Sequence, residues 1–356
     1  MIDRLLLDRA VARGIVTESQ ALALLDLGQE PALKLADPPN DDERLRFVSG
    51  FADIFVTIGL LLFLGTSAYI ASETIGDAFG SALVAAMSWG LAEFFTRRRR
   101  MALPSIVLLV AFATASFSAV VFLFAGAKAV GIPPFGIVAP NLDAPLPVAA
   151  AALGTLGLVA LHYRRFQVPI TIAAGTAALA GTLVALVFAL APDFAERSQN
   201  GLLIVAGLAI FAFAMRYDIS DPERTSRATD TAFWLHLLAA PLIVHPVLSA
   251  MTAGSGGFTG SAAAGLVLAV VLVLALVALV TDRRAILVAG MTYTVIAFGT
   301  LIRDLGYANR SLPLSLLALG AFVLLLSAGW HPLRGLILRA LPRGLAARLP
   351  HPVGTR

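Results

Sequence analysis

Residues 93–101 read EFFTRRRRM, and the four consecutive arginines in this stretch, Arg97-Arg98-Arg99-Arg100, separate two apolar runs of the chain. The runs are Gly80–Phe95 and Met101–Gly126. One arginine at the centre of a bilayer costs about 2.5–3.5 kcal/mol, so four together must lie in water. The stretch therefore predicts a turn between two membrane spans, with Arg97, Arg98, Arg99 and Arg100 as anchors of the topology.

The composition extends this prediction to the whole chain. Hydrophobic residues make up 58% of the 356 residues and charged residues only 13%, whereas a typical soluble domain is about 25% charged. A span needs roughly 20 apolar residues. We therefore predict an all-α fold, a polytopic transmembrane helical bundle of about ten spans. The runs lie near 48–71, 78–96, 102–125, 146–162, 167–191, 200–216, 232–252, 262–281, 285–302 and 312–330.

The basic residues predict the orientation of these spans. With a cytosolic N-terminus, 22 of the 26 Lys and Arg residues fall on the cytosolic side. The exceptions are Lys128, Arg197, Arg303 and Arg310. This asymmetry follows the positive-inside rule for ten spans with both termini in the cytosol. The dominance of Arg over Lys and the abundance of Ala suggest a GC-rich bacterial genome, and hence the bacterial inner membrane.

Composition also argues against several function classes. The positive charge is distributed over the cytosolic turns and is not gathered on one face with aromatic residues, so the pI near 9.8 does not indicate nucleic-acid binding. Cysteine is absent, so the chain has no disulfide and no Cys-based metal site. We expect no cofactor and no metal. The first run long enough to insert begins near Phe47, which predicts an N-terminus without a signal peptide.

Residues 1–46 form the only sizeable polar segment, and their pattern predicts a cytosolic helical hairpin with a linker. Thr17-Glu18-Ser19-Gln20 has the spacing of a capping box at the start of the second helix. The predicted seam pairs Ile2, Leu5, Leu6 and Val11 with Leu22, Leu24, Leu25 and Leu27. A segment this short cannot hold a core alone. It is either a local cap on the bundle or a module that binds a protein partner.

The other two predicted regions are the bundle, residues 47–330, and a basic cytosolic tail, residues 331–356. The tail alternates Leu and Ile with Arg and contains Pro342, Pro350 and Pro352. It is either a positively charged stop after the last span or a segment that lies along the anionic inner leaflet.

Two stretches carry a resemblance to known proteins. They are LLLDRAVARGIVTESQALALLDLGQE, residues 5–30, and RLRFVSGFADIFVTIGLLLFLG, residues 44–65. Together they resemble the opening of uncharacterised bacterial multi-pass membrane proteins, in which a short cytosolic helical pair precedes closely spaced spans. The resemblance implies location and architecture. It implies no functional residue.

Ionisable residues within spans are costly and are often functional. Asp53 lies about one and a half turns into the first predicted span. Glu93 lies four residues before Arg97, the spacing of a helical ion pair. Each is either an anchor at the membrane interface or part of an internal polar site.

The seventh predicted span is the most unusual. Pro241 is expected to kink it, and His236 and His245 lie nine residues apart, on opposite faces of a straight helix. On a straight helix they cannot jointly hold a metal, and a kink at Pro241 could change this only through a large rotation. Each is interpreted as a hydrogen-bonded structural histidine, with a substrate or proton role as the alternative.

No catalytic motif occurs in the chain. The sequence therefore favours a non-enzymatic membrane protein that assembles with a partner through residues 1–46. The alternative is a secondary transporter or permease for a weakly polar or lipid-like substrate. A weak echo also links the segment before Arg164-Arg165 with the segment before Arg283-Arg284, either as a parallel repeat or as coincidence between Leu/Ala-rich hairpins.

Overall fold

The computed structural model describes residues 11–22, 51–125, 144–221, 226–252 and 260–340. The chain divides into two units, Met1–Arg44 with Pro352–Arg356, and Leu45–His351. The described residues are helical and contain no strand, which confirms the all-α prediction.

Ten helices of the second unit are long and apolar enough to cross a membrane, as the sequence predicted. A hydrocarbon core of about 30 Å requires roughly 20 residues. The ten helices are α1 Phe51–Ile75, α2 Asp77–Ala92, α3 Ala102–Ala125, α4 Pro145–Phe166, α5 Ile170–Leu190, α6 Pro192–Ser220, α7 Arg227–Thr252, α8 Ser261–Thr281, α9 Ala285–Asp304 and α10 Ser311–Ala328. A π-helical segment, Glu93–Arg98, extends α2. The candidate spans have 19–29 residues when α2 is counted with the π-helical segment after it and α10 with the short 3-10 turn Ala308–Arg310 before it. The chain is a multi-pass membrane protein.

The first unit contains the predicted capping box. The backbone N–H of Thr17 donates to the Gln20 side chain over 2.9 Å, and the N–H of Gln20 donates to the Thr17 hydroxyl over 3.3 Å. Ile15 is 70% exposed and Leu22 is 60% exposed. Most residues of the predicted seam lie outside the described residues.

One end of the bundle gathers the predicted cytosolic turns. Consecutive spans alternate in direction, and three contacts join their ends: Glu93 of the α2 extension with Arg165 of α4, Asp218 of α6 with Arg283 after α8, and Asp282 with Trp330 after α10. We call this end the basic face. It carries the turns α2–α3, α4–α5, α6–α7 and α8–α9 and the end of α10.

Helix α7 lies at the centre of the described bundle. It contacts α5, α6, α8 and α9, and half of its apolar stretch is buried, compared with 6% for α10. Leu235, Ala239 and Val244 of α7 are almost fully buried. The helix continues through Pro241 and Pro246. Helix α7 contacts the two spans before it and the two spans after it, so a polar residue on α7 can lie in the interior of the bundle.

A short helix follows the tenth span. Trp330–Ala340, α11, has 11 residues, too few to cross a bilayer. Trp330 and Arg334 are almost fully buried, whereas Leu336 is 70% exposed. The first part of the predicted basic tail is therefore a helix packed against the bundle. Residues 341–356 lie outside the described residues.

Helices α1 and α2 approach each other closely at Gly80. A Cβ atom there would lie 2.9 Å from the backbone nitrogen of Ser72 and 3.0 Å from the carbonyl carbon of Ala71. Since backbone atoms cannot move aside cheaply, we expect Gly80→Ala to lower the free energy of unfolding by about 1–3 kcal/mol. The measurement is thermal unfolding of the purified protein in detergent.

Gly90→Ala is the matched control, because Gly90 lies on the same helix and a Cβ there meets nothing within 4 Å. It should be neutral, or stabilising by up to about 1 kcal/mol through helix propensity. Equal destabilisation by both substitutions would contradict the close approach.

Candidate functional site

Glu93 pairs with arginines at the basic face. Its carboxylate accepts hydrogen bonds from Arg165 Nε over 2.7 Å and from Arg165 Nη2 over 3.0 Å. Arg97 Nη1 donates to the same carboxylate over 3.3 Å. A bidentate arginine fixes the plane of a carboxylate. Glu93 therefore joins the end of α2 to the end of α4.

Asp53 is buried in the first turns of α1, with 3% of its surface exposed. Its backbone carbonyl accepts a hydrogen bond from the Thr57 hydroxyl over 2.6 Å. This bond lies within α1 and turns the Thr57 side chain back along its own helix.

His236 lies in the interior, on α7, with no exposed surface. Its Nε2 is 2.8 Å from a carboxylate oxygen of Asp218, on α6. Arg283 binds the same carboxylate through both Nε, at 3.3 Å, and Nη2. Asp218 is 3% exposed and Arg283 is 1% exposed. One buried carboxylate therefore connects α6, α7 and the turn between α8 and α9.

His245 contacts a different helix. Its Nδ1 forms a hydrogen bond with the hydroxyl of Tyr293, on α9. The nine-residue spacing thus directs His236 toward α6 and His245 toward α9. Glu93, His236 and His245 thus bind different partners, and none of these hydrogen bonds links one of the three to another.

A second set of buried polar groups adjoins Arg283. Asp282 accepts a hydrogen bond from Trp330 Nε1 over 2.7 Å and lies 3.5 Å from Arg334 Nε. The same Nε donates to the backbone carbonyl of Leu279 over 3.1 Å. We call the full set the charged cluster. It comprises Asp218, His236, Asp282, Arg283, Trp330 and Arg334.

The end of α8 shows why the chain folds this way locally. Asp282 adopts a left-handed backbone conformation, with φ of 56°, and the N–H of Arg283 bonds to the carbonyl of Ala278 over 2.9 Å. Aspartate tolerates this conformation better than most residues. The turn reverses the direction of the chain immediately after α8. Asp282 and Arg283 are both buried at this end of the bundle.

The charged cluster balances its own charge, with two carboxylates and two guanidinium groups. Each carboxylate has a partner on another element, and breaking a buried pair is far more costly than forming it is favourable. Within the described parts of the chain, no group of three His, Cys, Asp or Glu side chains has the arrangement of a metal site. The arrangement is therefore suited to holding helices together.

Sequence reasoning identified His236 but missed its partners. Asp218 lies at the end of a span, and Arg283 belongs to an arginine pair that fits the positive-inside pattern. Both therefore resembled residues in water. The available signal was an acidic residue at the end of one span and a histidine 18 residues later, in the next span.

A third histidine was also missed. His162 of α4 is 1% exposed and packs among the rings of Trp89, Phe112 and Phe166, with centroids 4.5–5.6 Å away. Neither ring nitrogen has a hydrogen-bond partner among the described residues. His162 is thus part of an aromatic cluster that joins α2, α3 and α4.

The basic face also contains a cavity of about 580 Å³. It lies between the α2–α3 turn, the α4–α5 turn and the start of α7, and we call it the basic cavity. Four arginines and one aspartate line it: Arg97, Arg100, Arg165, Arg227 and Asp230. Its lining does not include any of the four polar residues that the sequence suggested.

Comparison of the chain with protein-family models, with curated proteins and with solved structures found no match.

The pairing in the charged cluster gives a stability prediction. Asp218→Asn leaves the Arg283 guanidinium buried without its counter-charge, which should lower the free energy of unfolding by about 3–5 kcal/mol. The double variant Asp218→Asn with Arg283→Gln should lose less than the sum of the two single variants. Thermal unfolding in detergent measures all three.

Arg164→Gln is the control for loss of one arginine from the basic face, since Arg164 is exposed. Its effect should stay within about 0.5 kcal/mol. Strict additivity of the Asp218 and Arg283 substitutions would show that the two side chains do not act as a pair.

Proposed function

We propose that this multi-pass membrane protein is a non-enzymatic component of the bacterial inner membrane that binds a protein partner through residues 1–46. In this proposal the basic face is cytosolic, as are both termini. The resemblance to uncharacterised bacterial multi-pass proteins belongs to the same proposal.

The main observation in support of this proposal is the charged cluster. Asp218, which is buried, is bound by both His236 and Arg283. A general base or proton carrier needs access to its proton donor or acceptor, whereas this carboxylate is enclosed by its partners. The cluster supports a role as a tie between helices, and therefore a bundle that serves as an anchor.

The exposed apolar residues of the first unit support the partner role. Ile15 and Leu22 flank the capping box, and both are mostly exposed. Exposed apolar side chains are available for contact with a partner protein. The capping box fixes the start of the helix that carries Leu22, so this side chain is presented on an ordered element.

Transport is the second candidate function. A coupled transporter is expected to place ionisable residues around a common polar site near mid-membrane. Here Glu93, His236 and His245 have separate partners on different helices. The partner role is therefore proposed ahead of transport.

The partner role predicts the effect of two substitutions. Ile15→Ser with Leu22→Ser removes both exposed apolar groups, so a protein that co-purifies with the full-length chain after reversible crosslinking in cells should be lost. Quantitative mass spectrometry of the purified complex measures the loss. Glu18→Gln is the control, because it changes an exposed residue of the same segment and keeps the apolar groups.

If the set of co-purifying proteins is the same for the double variant and for a chain that lacks residues 1–44, and equals that of the unaltered chain, the partner role of this segment is wrong. Loss with Glu18→Gln alone would point to charge as the recognised feature.

The orientation can be tested directly because the chain contains no cysteine. Ser220→Cys places a thiol at the basic face and Ala308→Cys places one at the opposite end, and both positions are exposed. In intact spheroplasts a membrane-impermeant maleimide should label Ala308→Cys only. Ser220→Cys should react after permeabilisation. The reverse pattern would place the basic face outside.

A further inference from the structure

The basic cavity has an excess of positive charge. Its four arginines face a single aspartate, which leaves a formal excess of three positive charges on the lining. Glu93 pairs with Arg97 and Arg165. Among the described residues, Arg100 and Arg227 have no such ion pair. These two guanidinium groups come from different elements, the α2–α3 turn and the start of α7.

Most of the remaining lining is apolar or aromatic, and its polar members are Thr96, Ser105 and Gln167. Met101 and Ile106 of the α3 region, Phe166 at the end of α4 and Trp234 of α7 contribute to it. The cavity therefore combines cationic side chains with an apolar wall at the end of the spans, where water meets hydrocarbon. Tryptophan is enriched at this level of a bilayer. A fitting ligand carries negative charge on one part and tolerates apolar contact on another.

Two residues of the cavity lining have a left-handed backbone conformation. Arg100 has φ of 54° and Gln167 has φ of 52°, and both line the cavity. A left-handed conformation is uncommon outside glycine, and such residues concentrate at ligand sites. Arg100 also follows the π-helical segment Glu93–Arg98, and π-helical turns occur frequently at functional sites.

We propose that the basic cavity binds a phosphate ester, the group shared by anionic phospholipid headgroups and small soluble phosphates. A phosphate offers three or more acceptor oxygens to several guanidinium groups at once, whereas a carboxylate offers two. Basic pockets at the ends of membrane helices are suited to such headgroups. The volume exceeds that of a phosphate group, so the apolar wall contacts the glycerol or acyl part of a lipid ligand. The proposal does not depend on the partner role of residues 1–46.

The test uses the full-length protein, stripped of lipid in detergent, with three probes titrated by native mass spectrometry. Dioleoyl phosphatidic acid carries the phosphate, dioleoylglycerol has the same acyl chains without it, and oleate is a carboxylate amphiphile. Phosphatidic acid should bind and dioleoylglycerol should not. Arg100→Gln with Arg227→Gln should weaken binding of phosphatidic acid about 30-fold, taking about 1 kcal/mol for each arginine.

The matched control is Arg98→Gln with Arg216→Gln. It removes the same charge from the same face, and neither residue lines the cavity. This variant should keep its affinity for phosphatidic acid within about threefold, since general attraction to the basic face changes little. Thermal unfolding midpoints equal to that of the unaltered protein would show that both double variants fold.

Glycerol 3-phosphate distinguishes the two sources of the phosphate. If it displaces phosphatidic acid only at a concentration far above the Kd of the lipid, the ligand is a lipid headgroup. Displacement at a concentration close to that Kd identifies a soluble phosphate ester. Equal binding of oleate and phosphatidic acid, or equal loss in the cavity variant and the control variant, would overturn the proposal.

Discussion

Charge cannot enter hydrocarbon without a partner, and this constraint organises the whole bundle. It restricts the arginines to the turns and to the end regions of the helices, and many of them lie at the basic face, where α2, α4, α6, α8 and α10 end. Where an ionised side chain does lie inside the protein, as Asp218 does, it is matched by Arg283 and His236. The apolar spans need no such matching, and only 6% of the apolar stretch of α10 is buried inside the bundle.

The two halves of the basic face use arginine in different ways. Around the basic cavity, Arg100, Arg165 and Arg227 remain exposed, so they are available to water or to an anionic ligand. In the charged cluster, Arg283 and Arg334 are almost fully buried, and their charge joins elements of the bundle. The first arrangement favours binding, whereas the second favours cohesion. Both occur at the same end of the same helices.

Much of this fold was predictable from the sequence. The ten apolar runs and the four arginines are enough to predict the number of spans. The length of a segment and the free-energy cost of placing its charged groups in hydrocarbon depend on that segment alone. The capping box at Thr17 could also be predicted, since its two hydrogen bonds are local.

The charged cluster could not be predicted from the sequence. Arg165 and Arg283 belong to similar Arg-Arg pairs, yet Arg165 lies in the last turn of α4 and stays exposed, whereas Arg283 follows a left-handed Asp282 and turns inward. That difference depends on Asp218, 65 residues earlier, and no local pattern reports it.

The long sequence separation within the charged cluster has a consequence for synthesis. Asp218 and His236 are made first, and Arg283 follows 65 residues after Asp218, which corresponds to roughly 3–13 s at ribosomal elongation rates of about 5–20 residues per second. Trp330 follows Asp282 after a further 48 residues. Until these later residues are synthesised, Asp218 and Asp282 lack Arg283 and Trp330 as partners. A chain that ends before Trp330 therefore lacks both Trp330 and Arg334 as partners of Asp282.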